Sequence, residues 1–232
     1  RNPEFAKIHF VDADTPEECV LLQAVAFDGG QLGYELLLEP YRSWFTGHDL
    51  TPTYRYYADL LRLLDWQRPG ERWLLKSPAH LWALAVLTEV FPDCSIVWNH
   101  REPAVCMASM SSMISALSRD LVALPSTGLG PLVLDHYASS MDRALADREG
   151  SDERRFVDVD YDELIEDNLA AVQTVYHRFD LDLGTARPLM EAHIAEHPKD
   201  AHGAHDYDLA TYGLTAAQVR DRFSAYRRRF GV

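Results

Sequence analysis

At 232 residues, with hydrophobic and charged fractions of 47% and 25%, the chain has the length for one domain with a substantial core and the balance of an ordinary globular protein, which excludes disordered and fibrous classes. A formal charge of -14 at pH 7 argues against a nucleic-acid or anionic-membrane surface, since both call for excess Lys and Arg. A small polyanion is still possible wherever basic groups converge.

Cys19, Cys94 and Cys106 have no C-x-x-C spacing, which fits a reducing compartment and offers no metal knuckle. No apolar run has bilayer length and the first residues are polar, so the chain reads as cytoplasmic with no membrane span. Arg1 in place of methionine reads as the start of a portion of a longer protein.

In chain order, Thr15 with Pro16 and Glu18 forms a capping box that predicts a helix to about Phe27, ended by Gly29-Gly30. A second helix is expected over Tyr34 to Phe45. Thr51-Pro52 opens a third, with Tyr57, Leu60, Leu61 and Leu64 on one face. Tyr54, Tyr56 and Tyr57 read as packing residues, with a substrate-lining role as the alternative.

The stretch from Trp73 to Met110 reads as one device used twice: a short apolar strand, a polar turn, a helix. First comes the run Trp73-Leu74-Leu75 ending at Lys76, with Ser77 as N-cap and Pro78 opening a helix from about Ala79 to Val90. Then Ser95 to Trp98 forms a strand, His100-Arg101-Glu102 the turn, and Pro103 opens a helix carrying Ser109. Two strands joined by a crossover helix lie parallel, so both turns fall at the carboxyl edge of one sheet, where helix N-termini favour anions. Lys76 and Arg101 add full charges there. Arg101 and Ser109, eight residues apart, could share one phosphate.

Leu117 to Pro131 reads as a loop and Leu132 to Arg148 as a helix. Phe156 to Val159 alternates like a strand, followed by Tyr161-Asp162-Glu163-Leu164 and a helix to about Phe179. Lys199 to Tyr207 is a polar loop. Thr215 to Phe230 closes the chain as a helix with a Thr215/Gln218 capping box.

The arginine, the proline near the helix start and the serine eight residues after the arginine resemble the sulfotransferases that use 3′-phosphoadenosine 5′-phosphosulfate (PAPS). The upstream strand ending in Lys76, the LKSPAHL and FPD segments, Tyr161 in its Tyr-Asp-Glu-Leu setting, and His202, Gly203, His205 and Tyr207 look most like the bacterial branch. The resemblance implies an α/β, P-loop nucleotide-kinase-like fold: a parallel sheet flanked by helices, helix-rich, as a single domain over 1–232. It implies that Arg101 and Ser109 hold the 3′-phosphate, Tyr161 lies against the adenine, and the loop of His202, Gly203 and His205 contacts the phosphate end. Lys76 would face the sulfonate and act in catalysis, with PAPS as co-substrate, no metal, and a hydroxyl or amine of a small-molecule or lipid acceptor.

Two features depart from the family. The loop that grips the 5′-phosphosulfate is not in these residues, and Pro78 stands where many members have histidine, which leaves His80 or an upstream acid as the base. The rival readings are a zinc-dependent hydrolase using His193, Glu196 and His197 in an H-x-x-E-H pattern, and a non-catalytic helical binding module. Oligomeric state is not legible.

Overall fold

The computed structural model describes residues 16–27, 39–118, 125–196 and 208–232. The helices are α1 (Val20–Ala24), α2 (Glu39–Gly47), α3 (Thr51–Gln67), α4 (Leu84–Val90), α5 (Pro103–Ser118), α6 (Ser126–Glu149), α7 (Tyr161–Glu166), α8 (Asn168–Arg178), α9 (Ala186–Glu196), α10 (Ala216–Arg222) and α11 (Ser224–Phe230). Strands β1 (Ile96–His100) and β2 (Phe156–Asp160) pair in parallel, in a register running from Ile96 opposite Phe156 to His100 opposite Asp160. The fold is therefore α/β and helix-rich, with α5 and α6 forming the connection between the two strands.

The apolar run Trp73-Leu74-Leu75 is not a strand among the described residues. Leu74 is 96% exposed. Three apolar residues become a strand only where a neighbour supplies a ladder, and the neighbour of β1 among the described residues is β2. The Lys76 carbonyl instead accepts a bond of 3.0 Å from the backbone N–H of Cys19. The helix expected over Ala79 to Val90 is also broken. Ser77 caps it as anticipated, accepting from the Ala79 N–H at 3.1 Å, but Pro78–Trp82 is a 3-10 turn and Ala83, at φ -151°, separates it from α4.

The expected loop over Leu117 to Pro131 shrinks from both ends, since α5 runs to Ser118 and α6 begins at Ser126. Pro131 sits within α6, one turn after Thr127, whose carbonyl it cannot serve for want of an N–H. Gly213, at φ +77°, packs so closely there that a Cβ would stand 2.2 Å from the Thr127 oxygen. A Cβ on Gly130 would likewise lie 2.4 Å from the Tyr212 oxygen. The segment entering α10 is thereby pressed backbone to backbone on the start of α6. Asp167 divides the helix after β2 by capping α8, its side chain accepting from the Ala170 N–H. The capping box of Thr215 and Gln218 is present, and Phe223 divides the helix that follows into α10 and α11.

Two apolar clusters build the interior. One gathers Trp98, Met107, Ile114, Leu129, Val133 and Tyr226 around β1, α5, α6 and α11. The second gathers Cys19, Phe45, Tyr54, Tyr57, Leu61 and Trp82 around α3. Tyr54 and Tyr57 are thus core residues, 2% and 0% exposed. The clusters meet where Leu87 packs against both and the Trp82 indole N–H donates to His136 Nε2 at 2.7 Å.

Candidate active site

Along β1 the side chains alternate, with Trp98 and His100 buried and Val97 and Asn99 exposed, as the pleat dictates. His100 points inward. Its Nε2 lies 2.8 Å from Asp158 Oδ1, on the neighbouring strand, and its Nδ1 lies 3.1 Å from the Tyr226 hydroxyl on α11. Arg148, at the end of α6 and 4% exposed, clamps Asp158 with two bonds of 2.6 and 2.8 Å and Glu153 with others of 2.8 to 3.3 Å. Its guanidinium also lies 4.4 Å from the Phe156 ring centre. Burial pulls His100 down against the upward influence of Asp158. For Asp158 burial works upward, but the bonds from Arg148 and His100 outweigh it and hold the carboxyl below its usual range.

This buried polar network fixes β1 to β2 just before both strands end. Sequence reasoning missed it; the available signal was an aspartate inside an otherwise apolar strand.

Because His100 and Asp160 are paired, the next residue of each strand emerges alongside the other. The Arg101 guanidinium stands 4.0 Å over the Tyr161 ring. Asp160 caps α7 by accepting from the Asp162 and Glu163 N–H groups, which sets the orientation at which Tyr161 leaves the sheet. Pro103 opens α5 directly after Glu102, and Ser109, partly buried, lies two turns into that helix. Glu102, next to Arg101 in sequence, accepts from Arg220 at 3.0 Å and pairs with Arg227 at 3.7 Å, so its charge is met from α10 and α11. Arg101 and Tyr161 therefore share one corner at the carboxyl edge of the sheet, and Ser109 lies two turns along the helix that starts beside them.

Lys76 and His80 lie at the second cluster. The Lys76 side chain is 74% exposed and its amine pairs with Glu18. His80 turns inward, with Nδ1 2.8 Å from the Tyr54 hydroxyl and Nε2 3.5 Å from Cys19 Sγ. Burial lowers its pKa to about 4, so it is a neutral ring at physiological pH. His202, Gly203 and His205 lie outside the described residues, as does His197 of the zinc reading. α9 ends at Glu196, and among the described residues no group of three His, Cys, Asp or Glu side chains is placed to hold a metal. No helix among the described residues is long and apolar enough to cross a membrane.

A parallel α/β sheet with a cation, a helix start and an aromatic ring at its carboxyl edge defines the class of fold that receives nucleotide-like anions at that edge. The chain belongs to the sulfotransferase family, whose model matches residues 1–185. It is 30% identical to sulfotransferase STF9 from Mycobacterium avium, with a TM-score of 0.86 over 95% of this chain and 57% of that one. With sulfotransferase STF1 from Mycobacterium tuberculosis it shares 33% identity and a TM-score of 0.80 over 94% of this chain and 57% of that one. It is also 29% identical over 148 residues to the omega-hydroxy-beta-dihydromenaquinone-9 sulfotransferase Stf3 of Mycobacterium bovis and of Mycobacterium tuberculosis. That match takes in 62% of this chain and 36% of the relative, so the matched segment spans little more than a third of the length of these curated proteins.

Proposed function

We propose that this chain is part of a PAPS-dependent sulfotransferase that moves a sulfonate group to a hydroxyl or amine of a small-molecule or lipid acceptor. The observation that carries the reading is the placement of Arg101 over Tyr161 by the register of β1 and β2. A guanidinium over a tyrosine ring beside a helix start suits a ligand that is both anionic and aromatic, as an adenine nucleotide with a 3′-phosphate is. Arg101 and Ser109 hold that phosphate, Tyr161 lies against the base, and the segment with His202, Gly203 and His205 contacts the phosphate end.

Bound there, the donor supplies an activated sulfonate with a phosphate as leaving group. Lys76 places its charge where negative charge gathers on the departing oxygen. The grip on the 5′-phosphosulfate falls to a loop that these 232 residues do not contain. The relative named for a hydroxylated menaquinone supports a lipid alcohol as one acceptor class.

The test is calorimetry with 3′-phosphoadenosine 5′-phosphate and with the nucleotide lacking its 3′-phosphate, on the longest soluble natural form of the protein. Tighter binding of the 3′-phosphorylated nucleotide is expected, and Arg101→Ala should weaken it by roughly ten- to a hundredfold. Equal affinity for both nucleotides would remove the assignment. A preference that survives in the Arg101→Ala, Ser109→Ala double variant would reject these residues.

A further inference from the structure

Arg101 is the first residue beyond the strand register, which ends where His100 faces Asp160, and only Glu102 separates it from the start of α5 at Pro103. The register brings Arg101 to the corner, but the direction it takes from there depends on what holds residues 100 to 102. The holding groups come from the C-terminal helix pair. Tyr226 of α11, 4% exposed, brings its hydroxyl to 3.1 Å from His100 Nδ1, and the Arg101 backbone N–H donates to the same hydroxyl. Glu102 is held by Arg220 of α10 at 3.0 Å and Arg227 of α11 at 3.7 Å. Three consecutive residues of the turn are gripped by α10 and α11.

These bonds have a fixed polarity. An ionised carboxylate only accepts, so the His100 nitrogen that lies 2.8 Å from Asp158 carries the ring proton and Nδ1 carries the lone pair. The Tyr226 hydroxyl then donates to His100, and its own oxygen is left to accept from the Arg101 N–H. At the other end Arg148 holds Asp158 through bonds of 2.6 and 2.8 Å. A relay of hydrogen bonds therefore runs from the end of α6 through both strands to the amide of the residue whose guanidinium stands over Tyr161.

We infer that Tyr226 is a positioning residue for recognition of the donor's 3′-phosphate, its hydroxyl orienting the turn from which Arg101 reaches over Tyr161, with Arg220 as the second arm of the same brace. The inference rests on the sulfotransferase reading above and adds to it the element that aims the arginine. The Tyr226 ring packs in the first apolar cluster with or without its oxygen, so the aiming falls to the hydroxyl alone. Arg220 is 51% exposed and holds Glu102 by charge. Without it, the carboxylate next in sequence to Arg101 loses its shortest contact and becomes a competitor for the guanidinium that has to receive a phosphate.

The experiment is calorimetry with 3′-phosphoadenosine 5′-phosphate and with adenosine 5′-phosphate, on the longest soluble natural form of the protein. It compares wild type, Tyr226→Phe, Arg220→Gln, Arg101→Ala and each of the first two variants combined with Arg101→Ala. Tyr226→Phe should cut the preference for the 3′-phosphorylated nucleotide by roughly five- to tenfold, the scale of one lost hydrogen bond, and leave the affinity for adenosine 5′-phosphate within about twofold. Arg220→Gln, which breaks a more exposed contact, should cut the preference by roughly threefold. In the Arg101→Ala background neither should lower it further, because each acts through that side chain. An unchanged preference in Tyr226→Phe, an equal loss of affinity for both nucleotides, or an effect that adds to that of Arg101→Ala would overturn the inference. If Tyr226→Phe does not fold, Arg220→Gln is read against the same three outcomes. Failure of the wild-type protein to prefer the 3′-phosphorylated nucleotide would instead strike the functional reading on which the inference rests.

Discussion

Acidification from pH 6.5 to 5.0 should destabilise this fold through a histidine that takes no part in the proposed chemistry. Trp82 has only an N–H to offer, and it points at His136 Nε2 across 2.7 Å, so that nitrogen must carry the lone pair. Protonating it would set two donors face to face inside a site where His136 is 4% exposed. Burial lowers the pKa of His136 to about 3, against about 6.5 for an unfolded imidazole.

The unfolded chain therefore binds a proton that the folded one refuses. Stability is present in full above pH 6.5 and is lost progressively as the pH falls toward 3. Integrated from pH 6.5 to 5.0, this one group accounts for about 1.7 kcal/mol. At an m-value of about 2.5 kcal/mol/M that is a fall of roughly 0.7 M in the urea midpoint. His136→Gln keeps an oxygen that can accept from Trp82 and has nothing to titrate, so the gap between wild type and variant should close by that amount over the interval. His80, lowered to about 4 by burial, contributes in the same direction to both proteins and cancels in the comparison. Urea unfolding at pH 6.5, 5.75 and 5.0 measures it. A gap that stays constant with pH would refute the reasoning.

Three further outcomes are expected. Lys76→Ala should reduce kcat about a hundredfold while moving the affinity for 3′-phosphoadenosine 5′-phosphate little, because its charge partner develops during transfer; an unchanged rate would remove it from the mechanism. Arg148→Met should lower stability by roughly 3 kcal/mol in urea unfolding, the low end for a broken buried pair, since Asp158 and Glu153 are 39% and 57% exposed and can recover water. Gly213→Ala should destabilise by roughly 3 kcal/mol, combining a left-handed φ with a contact of 2.2 Å to backbone that cannot give way; a loss under 1 kcal/mol would mean that the segment shifts freely.

What could be read from the residues was what local chemistry decides. Ser77 as a cap, Pro103 at a helix start, the Thr215 and Gln218 box and the strand over Phe156 to Val159 each depend on a few neighbouring positions, and each is in place. The sheet partner of β1 was not local information. Trp73-Leu74-Leu75 and Ser95 to Trp98 are equally strand-like in composition, and only a ladder from elsewhere separates them. The helix breaks follow a similar division. Asp167 is a capping residue visible in the sequence, whereas Ala83 gives no local sign.

For the site, Arg101 and Ser109 could be placed on one helix start by counting. That Arg101 rests on Tyr161 required the strand register, which no spacing encodes. The buried network of His100, Asp158 and Arg148 stayed hidden because polar residues in strands and at helix ends are most often solvated. The Glu18 contact stayed hidden because Lys76 and Cys19 meet through backbone atoms.

The register of β1 on β2 also says when the site comes into being. Arg101 and Tyr161 are about sixty residues apart, and all of α5 and α6 lies between them, so closing that loop is an entropic cost borne before any contact repays it. A chain with its helices formed but its two strands apart would have the arginine and the tyrosine without a place for a nucleotide. Binding at this corner would then report on a long-range pairing of the fold rather than on helix content. A nucleotide at a hundred times its dissociation constant would add about 2.7 kcal/mol to the fully paired state alone. Refolding followed by nucleotide fluorescence should accordingly lag behind refolding followed by far-ultraviolet circular dichroism.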